Sequence, residues 1–160
     1  MLTLTAYAVT LRLHIMSVGK TLVTGATGHL GANLVRRLIA DGEEVRVLIR
    51  AGRDNGAMDG LDVERVSGDL RNAQEVSDAV KGCGRVYHCA ALVSTIEGDA
   101  AHKRDVFETN VLGTLNILNA AAAHGVGKVV VSGSLSATGY EAGEASHEDM
   151  PFYPFDRHLP

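Results

Sequence analysis

The sequence is poor in cysteine and proline and has no tryptophan. Its two cysteines, Cys83 and Cys89, stand six apart without a third partner in 160 residues. That excludes a disulfide scaffold, and neither a CxxC pair nor a zinc-type Cys/His spacing is present. Cys89 sits in an apolar run and reads as a buried free thiol, suited to a reducing cytoplasm. The three prolines, Pro151, Pro154 and Pro160, all fall in the last ten residues, so none breaks a helix or strand before them. No apolar run approaches the ~18 residues that a membrane span needs. A basic stripe is missing too: the net charge is −4 and the pI near 5.9, which argues against a nucleic-acid partner. The expectation is a cytoplasmic chain with neither nucleic acid nor membrane as a partner.

What is present is a globular composition, with 46% hydrophobic and 21% charged residues, in a length sufficient for one domain with its own core. Glycine is enriched, at 18 residues of 160 against a usual ~7%. With no collagen-like period, these glycines serve turns and close backbone approaches. Residues 1–15 have no basic start and no small-residue cleavage site, so they make a poor signal peptide. They read as a loosely held extension ahead of a second start at Met16, with patches of strand-like alternation.

From Lys20 onward, strand and helix patterns alternate. Lys20–Thr24 reads as strand one. The helix His29–Ala40 carries Leu30, Leu34, Val35, Leu38 and Ile39 on one face and is closed by Gly42. Val45–Ile49 reads as strand two and Leu61–Val66 as strand three. A helix over Asn72–Val80 is capped by Asn72. Arg85–Cys89 reads as strand four, Arg104–His124 as a long helix, and Lys128–Ser132 as strand five. Such spacing predicts right-handed βαβ units and an α/β fold of the Rossmann type, a doubly wound parallel sheet with helices on both faces. The apolar runs Val45–Ile49 and Val129–Val131 suit strands buried on both sides.

Between strand one and its helix lies Thr24-Gly25-Ala26-Thr27-Gly28-His29-Leu30-Gly31. Glycines at 25, 28 and 31 permit a tight turn, a close approach of backbone to a pyrophosphate, and tight helix–strand packing. The helix N-terminus that follows offers free N–H groups and the positive end of its dipole. Gly19-Lys20-Thr21 looks like the tail of a P-loop, but the required earlier glycine is His14 and the segment enters a strand, so an ATPase reading fails. A dinucleotide fold selecting NAD places an acid at the end of strand two. Here that place is Arg50, with Arg53 close by, and a guanidinium fork matches a 2′-phosphate. NADP is therefore favoured over NAD.

These residues resemble the extended short-chain dehydrogenase/reductase family, in particular its dihydroflavonol-reductase-like and NAD-dependent epimerase/dehydratase branches. TGATGHLG is similar to the family's TGxxGxxG. Gly68-Asp69-Leu70 resembles its DL pair, in which the Asp meets the adenine amino group. Val86-Tyr87-His88-Cys89-Ala90-Ala91 resembles the segment lining the cofactor, which implicates Ala90 and Ala91. Asn110-Val111-x-Gly113-Thr114-x-Asn116 resembles the NVxGT helix that braces the site. Each also has a structural reading: Asp69 as a turn cap, His88 as a satisfied core histidine, Asn110 as a locally bonded helix residue.

The resemblance places an active-site serine just after strand five. Counting back from Gly139 selects Ser134, with Ser132 and Ser136 close enough to compete. Its role would be to hydrogen-bond the substrate oxygen. No GxSxG elbow is present to support a serine hydrolase. The family's partner motif, YxxxK, occurs nowhere in the 160 residues. Tyr153 has Arg157 four residues on, but an arginine stays protonated and Pro154 sits where a helix should be under way. The expected domain is 16–139, with 140–160 a loop leading toward an absent catalytic helix and substrate region. The implied function is the NADP-binding portion of an oxidoreductase acting on a carbonyl or secondary alcohol. Alternatives are half of a nucleotide-sugar epimerase or dehydratase, or a non-catalytic dinucleotide sensor. Strand five would be an exposed sheet edge, inviting homodimer or edge-strand association.

Overall fold

A computed structural model describes residues 19–93, 98–134, 139 and 143–151. Residues 1–15, Ser136 and Tyr153 lie outside the described residues. Five strands form one parallel sheet: β1 (Lys20–Thr24), β2 (Val45–Ile49), β3 (Glu64–Ser67), β4 (Cys83–His88) and β5 (Lys128–Val131). Their order is β3-β2-β1-β4-β5. The chain therefore winds one way through β2 and β3, then returns past β1 to β4 and β5. The direction reverses between β1 and β4, and a crevice opens beyond their carboxyl ends. Helices α1 (His29–Ala40), α2 (Ala73–Val80), α3 (Ala100–Phe107) and α4 (Gly113–Ala123) connect the strands.

Alternation along each strand sends neighbouring side chains to opposite faces. Leu22 and Leu48 join Val76, Val80, Val86 and Ile117 in one core beneath α2 and α4. Val23 and Val47 join Val35, Leu38, Val45 and Met58 in the other, beneath α1. Both faces of β1 and β2 are thus covered, which is why these strands read as unbroken apolar runs.

The helix ends follow from local chemistry. Asn72 caps α2, its side-chain oxygen accepting from the N–H groups of Gln74 and Glu75. Gly42, at φ +80°, closes α1: its N–H donates to Ile39 O and that of Glu43 to Leu38 O. Gly125 closes α4 in the same way, through bonds to Ala122 O and Ala121 O.

Several boundaries and burials differ from the sequence expectation. β3 starts at Glu64, not Leu61, because 61–63 complete the turn that follows a short 3-10 segment at Gly56–Met58. β4 spans Cys83–His88, two residues earlier than expected at its start, and β5 stops at Val131. The long helix begins at Ala100, capped by Asp99, and is broken into α3 and α4 by a π-helical turn over Glu108–Leu112. Leu30 is 57% exposed in the first turn of α1 instead of buried with Val35. The valines of β5 are exposed or half-buried, because β5 is an edge of the described sheet. Cys83, not Cys89, is the buried thiol; Cys89 lies past the end of β4 and is half-buried.

Candidate functional site

The crevice at the β1/β4 reversal is a cavity of about 260 Å³ walled by three turns. The glycine loop, including Gly25, Thr27 and Gly28, forms one wall. Ile49 and Arg50 at the end of β2 meet Gly68, Asp69 and Leu70 on a second, and Cys89, Ala90 and Ala91 form the third. Gly25 adopts φ +68°, and a Cβ on it would lie 2.6 Å from the Ala90 nitrogen. A Cβ on Gly31 would strike the Gly25 carbonyl. Only glycine permits these approaches. Gly28 is the N-cap of α1 and supplies no side-chain cap, so first-turn amides stay available to an anion at the positive helix end. This cradle fits a dinucleotide pyrophosphate.

His29, Leu30 and Gly31 belong to the first turn of α1 and do not line the cavity; Gly31 packs the helix onto the loop. Asp69 and Leu70 are held in place by other elements. The Asp69 N–H donates to Glu75 Oε2 (2.7 Å), and Asn116 Nδ2 on α4 donates to Leu70 O (2.8 Å). Gly113 lets α4 approach closely, since a Cβ there would lie 2.9 Å from Leu70 Cβ. The Asp69 carboxylate accepts a fork from Arg71, at 2.7 Å from Nη2 and 3.0 Å from Nε. That fork, with a further contribution from Arg50, holds the Asp69 carboxyl below its usual pKa.

The third wall is held by a chain of hydrogen bonds through a buried histidine. His88 is 2% exposed. Its Nδ1 meets Thr24 Oγ1 at 2.6 Å and its Nε2 meets Thr114 Oγ1 at 3.0 Å. Thr114 donates its hydroxyl proton to Asn110 O (2.7 Å) and so accepts from His88. This assigns the proton to Nε2, and Nδ1 then accepts from Thr24. Burial pushes the His88 pKa down, favouring this neutral form. Asn110 does not line the cavity; its amide brackets Leu92, donating to Leu92 O (3.0 Å) and accepting from Leu92 N–H (2.7 Å).

A second cavity, of about 320 Å³, adjoins the first and shares Arg50, Gly68 and Asp69 with it. Ala51, Arg53, Ser67, Arg71 and Glu75 complete its lining. Asn55 Nδ2 donates to the carbonyls of both Arg50 (3.2 Å) and Arg53 (3.1 Å), which curls this loop around the cavity. Ser134 lies apart from both cavities, exposed beyond the end of β5. Among the described residues no His/Cys/Asp/Glu group could hold a metal ion. No described helix is long and apolar enough to cross a membrane.

Sequence reasoning missed Arg71 and Glu75. Glu75 had a signal, since Asn72-x-x-Glu75 has the spacing of a capping box. Arg71 had none, because its fork depends on the shape of the turn after β3.

The family model for the NAD dependent epimerase/dehydratase family matches residues 21–158. The chain is 48% identical over 136 residues to sterol demethylase protein B of Methylococcus capsulatus, covering 85% of this chain and 40% of that protein. It is 37% identical to a dihydroflavonol 4-reductase-like protein of Synechocystis, covering 81% of this chain and 36% of that one. Among solved structures, the Thermus thermophilus UDP-glucose 4-epimerase complex with NAD superposes with a TM-score of 0.70 at 32% identity. That match covers 84% of this chain and 44% of the epimerase. The chain thus spans less than half the length of these relatives. Its glycine-rich crevice, parallel sheet and sequence together place it in the NAD-dependent epimerase/dehydratase family, as a dinucleotide-binding domain of the Rossmann type.

Proposed function

We propose that the chain is the NADP-binding portion of an oxidoreductase acting on a carbonyl or secondary alcohol. The observation that carries this reading is the pair Arg50 and Arg53 beside the adenine wall. No described residue forms a hydrogen bond or ion pair with either guanidinium, whereas Arg46, Arg65, Arg71 and Arg85 all have partners. Two guanidiniums with no hydrogen-bond or ion-pair partner among the described residues, where an acid would select NAD, suit the 2′-phosphate of NADP.

The residues hold the dinucleotide in parts. Gly25, Thr27 and Gly28 take the pyrophosphate on the end of α1, Asp69 and Leu70 the adenine, and Ala90 and Ala91 the strand-four wall. When bound, NADP supplies hydride exchange at its nicotinamide. Ser134 is the candidate to hydrogen-bond the substrate oxygen, a small-molecule carbonyl or alcohol.

A second reading is half of an epimerase or dehydratase. It is favoured by the Thermus enzyme, a UDP-glucose 4-epimerase in complex with NAD. The two separate on one variant. Arg50→Asp should weaken NADPH binding by about 1–3 kcal/mol, the worth of a charge-assisted bond, while NADH binding holds or improves. Unchanged NADPH affinity would remove Arg50 from the site and favour the NAD-using reading.

A further inference from the structure

The cavity beside Arg50 and Arg53 also contains carboxylates, an awkward neighbour for a phosphate. Two line it, Asp69 and Glu75. Glu75 commits its oxygens to the Asp69 N–H (2.7 Å) and the Asn72 amide (2.9 Å). Asp69 faces both the adenine cavity and this one. It is covered by the planar fork of Arg71, whose Nη2 lies 2.7 Å from Oδ2 and whose Nε lies 3.0 Å from Oδ1. Arg71 lines the same cavity and also makes a longer contact, 3.5 Å from Nη1 to Asp105. Without Arg71, two guanidiniums would face two carboxylates. With it, the balance favours an anion.

We infer that Arg71 is a specificity-determining residue: by forking Asp69 it masks that carboxylate and admits a ribose 2′-phosphate beside Arg50 and Arg53. This rests on the NADP reading above and extends it. The pocket keeps an acid for the adenine amino group yet can accept a phosphate in the same cavity, because the fork offsets the charge of that acid. NAD, lacking the phosphate, gains nothing from the masking. The contribution of Arg71 is therefore to the difference between the two dinucleotides, not to binding as such.

The test is titration of the 160-residue chain with NADP+ and NAD+ in parallel, for the wild type, Arg71→Met, and Arg71→Met combined with Asp69→Asn. Arg71→Met should weaken NADP+ about tenfold or more, as expected for unmasking a like charge near the phosphate, with NAD+ changed less than about threefold. Adding Asp69→Asn should return the ratio of NADP+ to NAD+ affinity to within about threefold of the wild type, since the repelling charge is gone and any loss at the adenine falls on both dinucleotides alike. Equal weakening of both dinucleotides by Arg71→Met would overturn the inference, showing that Arg71 only braces the turn. No change in either would overturn it as well. Should Arg71→Met fail to fold, Arg71→Gln removes the charge but keeps a polar side chain at the turn, and a selective loss for NADP+ is again required. A wild-type chain that prefers NAD+ would instead contradict the underlying NADP reading, an outcome visible before any variant is made.

Discussion

His88 joins β4, β1 and α4 through Thr24 and Thr114, with both ring nitrogens bonded inside the core. Its removal takes the acceptor from the buried Thr24 hydroxyl and the donor from the half-buried Thr114 hydroxyl. His88→Ala should therefore cost about 2–4 kcal/mol of stability, combining a cavity with unsatisfied polar groups, read from denaturant melts. The pH dependence follows from burial, which lowers the folded-state pKa of His88. The unfolded imidazole takes up a proton near pH ~6.5, while the folded one resists until the pH is lower. Stability from this group is complete above that unfolded value and is lost as the pH falls through the folded one. Melting temperatures should decline from pH 7 toward pH 5, and His88→Gln should flatten that decline. A decline of equal slope in both proteins would show that other groups cause it.

At the scale of elements, the glycine loop is where geometry is least forgiving. Gly31→Val places side-chain atoms against the Gly25 carbonyl. Either α1 moves off the loop or the loop opens, at about 1–3 kcal/mol for such overpacking, and dinucleotide affinity should fall with it. Asn72→Ala removes the cap of α2 and should cost about 1 kcal/mol. It also loosens the Glu75 side chain that holds the Asp69 turn. Cap, apolar face and closing glycine are all local signals, and β1, α1 and β2 carry them without ambiguity, so their limits are legible in the sequence. α3 is different. It buries no residue, so no apolar period announces it, and only Asp99 marks its start. The π-helical turn was equally hidden, because an unbroken helical pattern runs through Val111 and Leu115. In the site, the glycine motif, Asp69 and Arg50 were visible as motif positions. The Arg71 fork, the Asn116 bond to Leu70 and the route from Thr24 through His88 to Asn110 were not. The last two join residues that only the folded sheet brings together, and the fork, between residues two apart, depends on the shape of the turn after β3.

For the molecule as a whole, β5 is an edge of the described sheet, and Val130 and Val131 are 37% and 45% exposed. An apolar, unpaired strand edge invites another strand. The 160-residue chain should accordingly sediment as a concentration-dependent associating species, and Val130→Lys should shift it toward monomer. A sharp monomer at high concentration would contradict that.

On the proposed reading, this chain holds a dinucleotide in the crevice between β1 and β4, with NADP preferred. That reading is tested most directly by titrating the chain with NADPH and NADH and following nicotinamide fluorescence. Saturable one-site binding is expected, with NADPH tighter by about tenfold, matching one charge-assisted contact. A chain that melts cooperatively yet binds neither dinucleotide, or binds both equally, would contradict it.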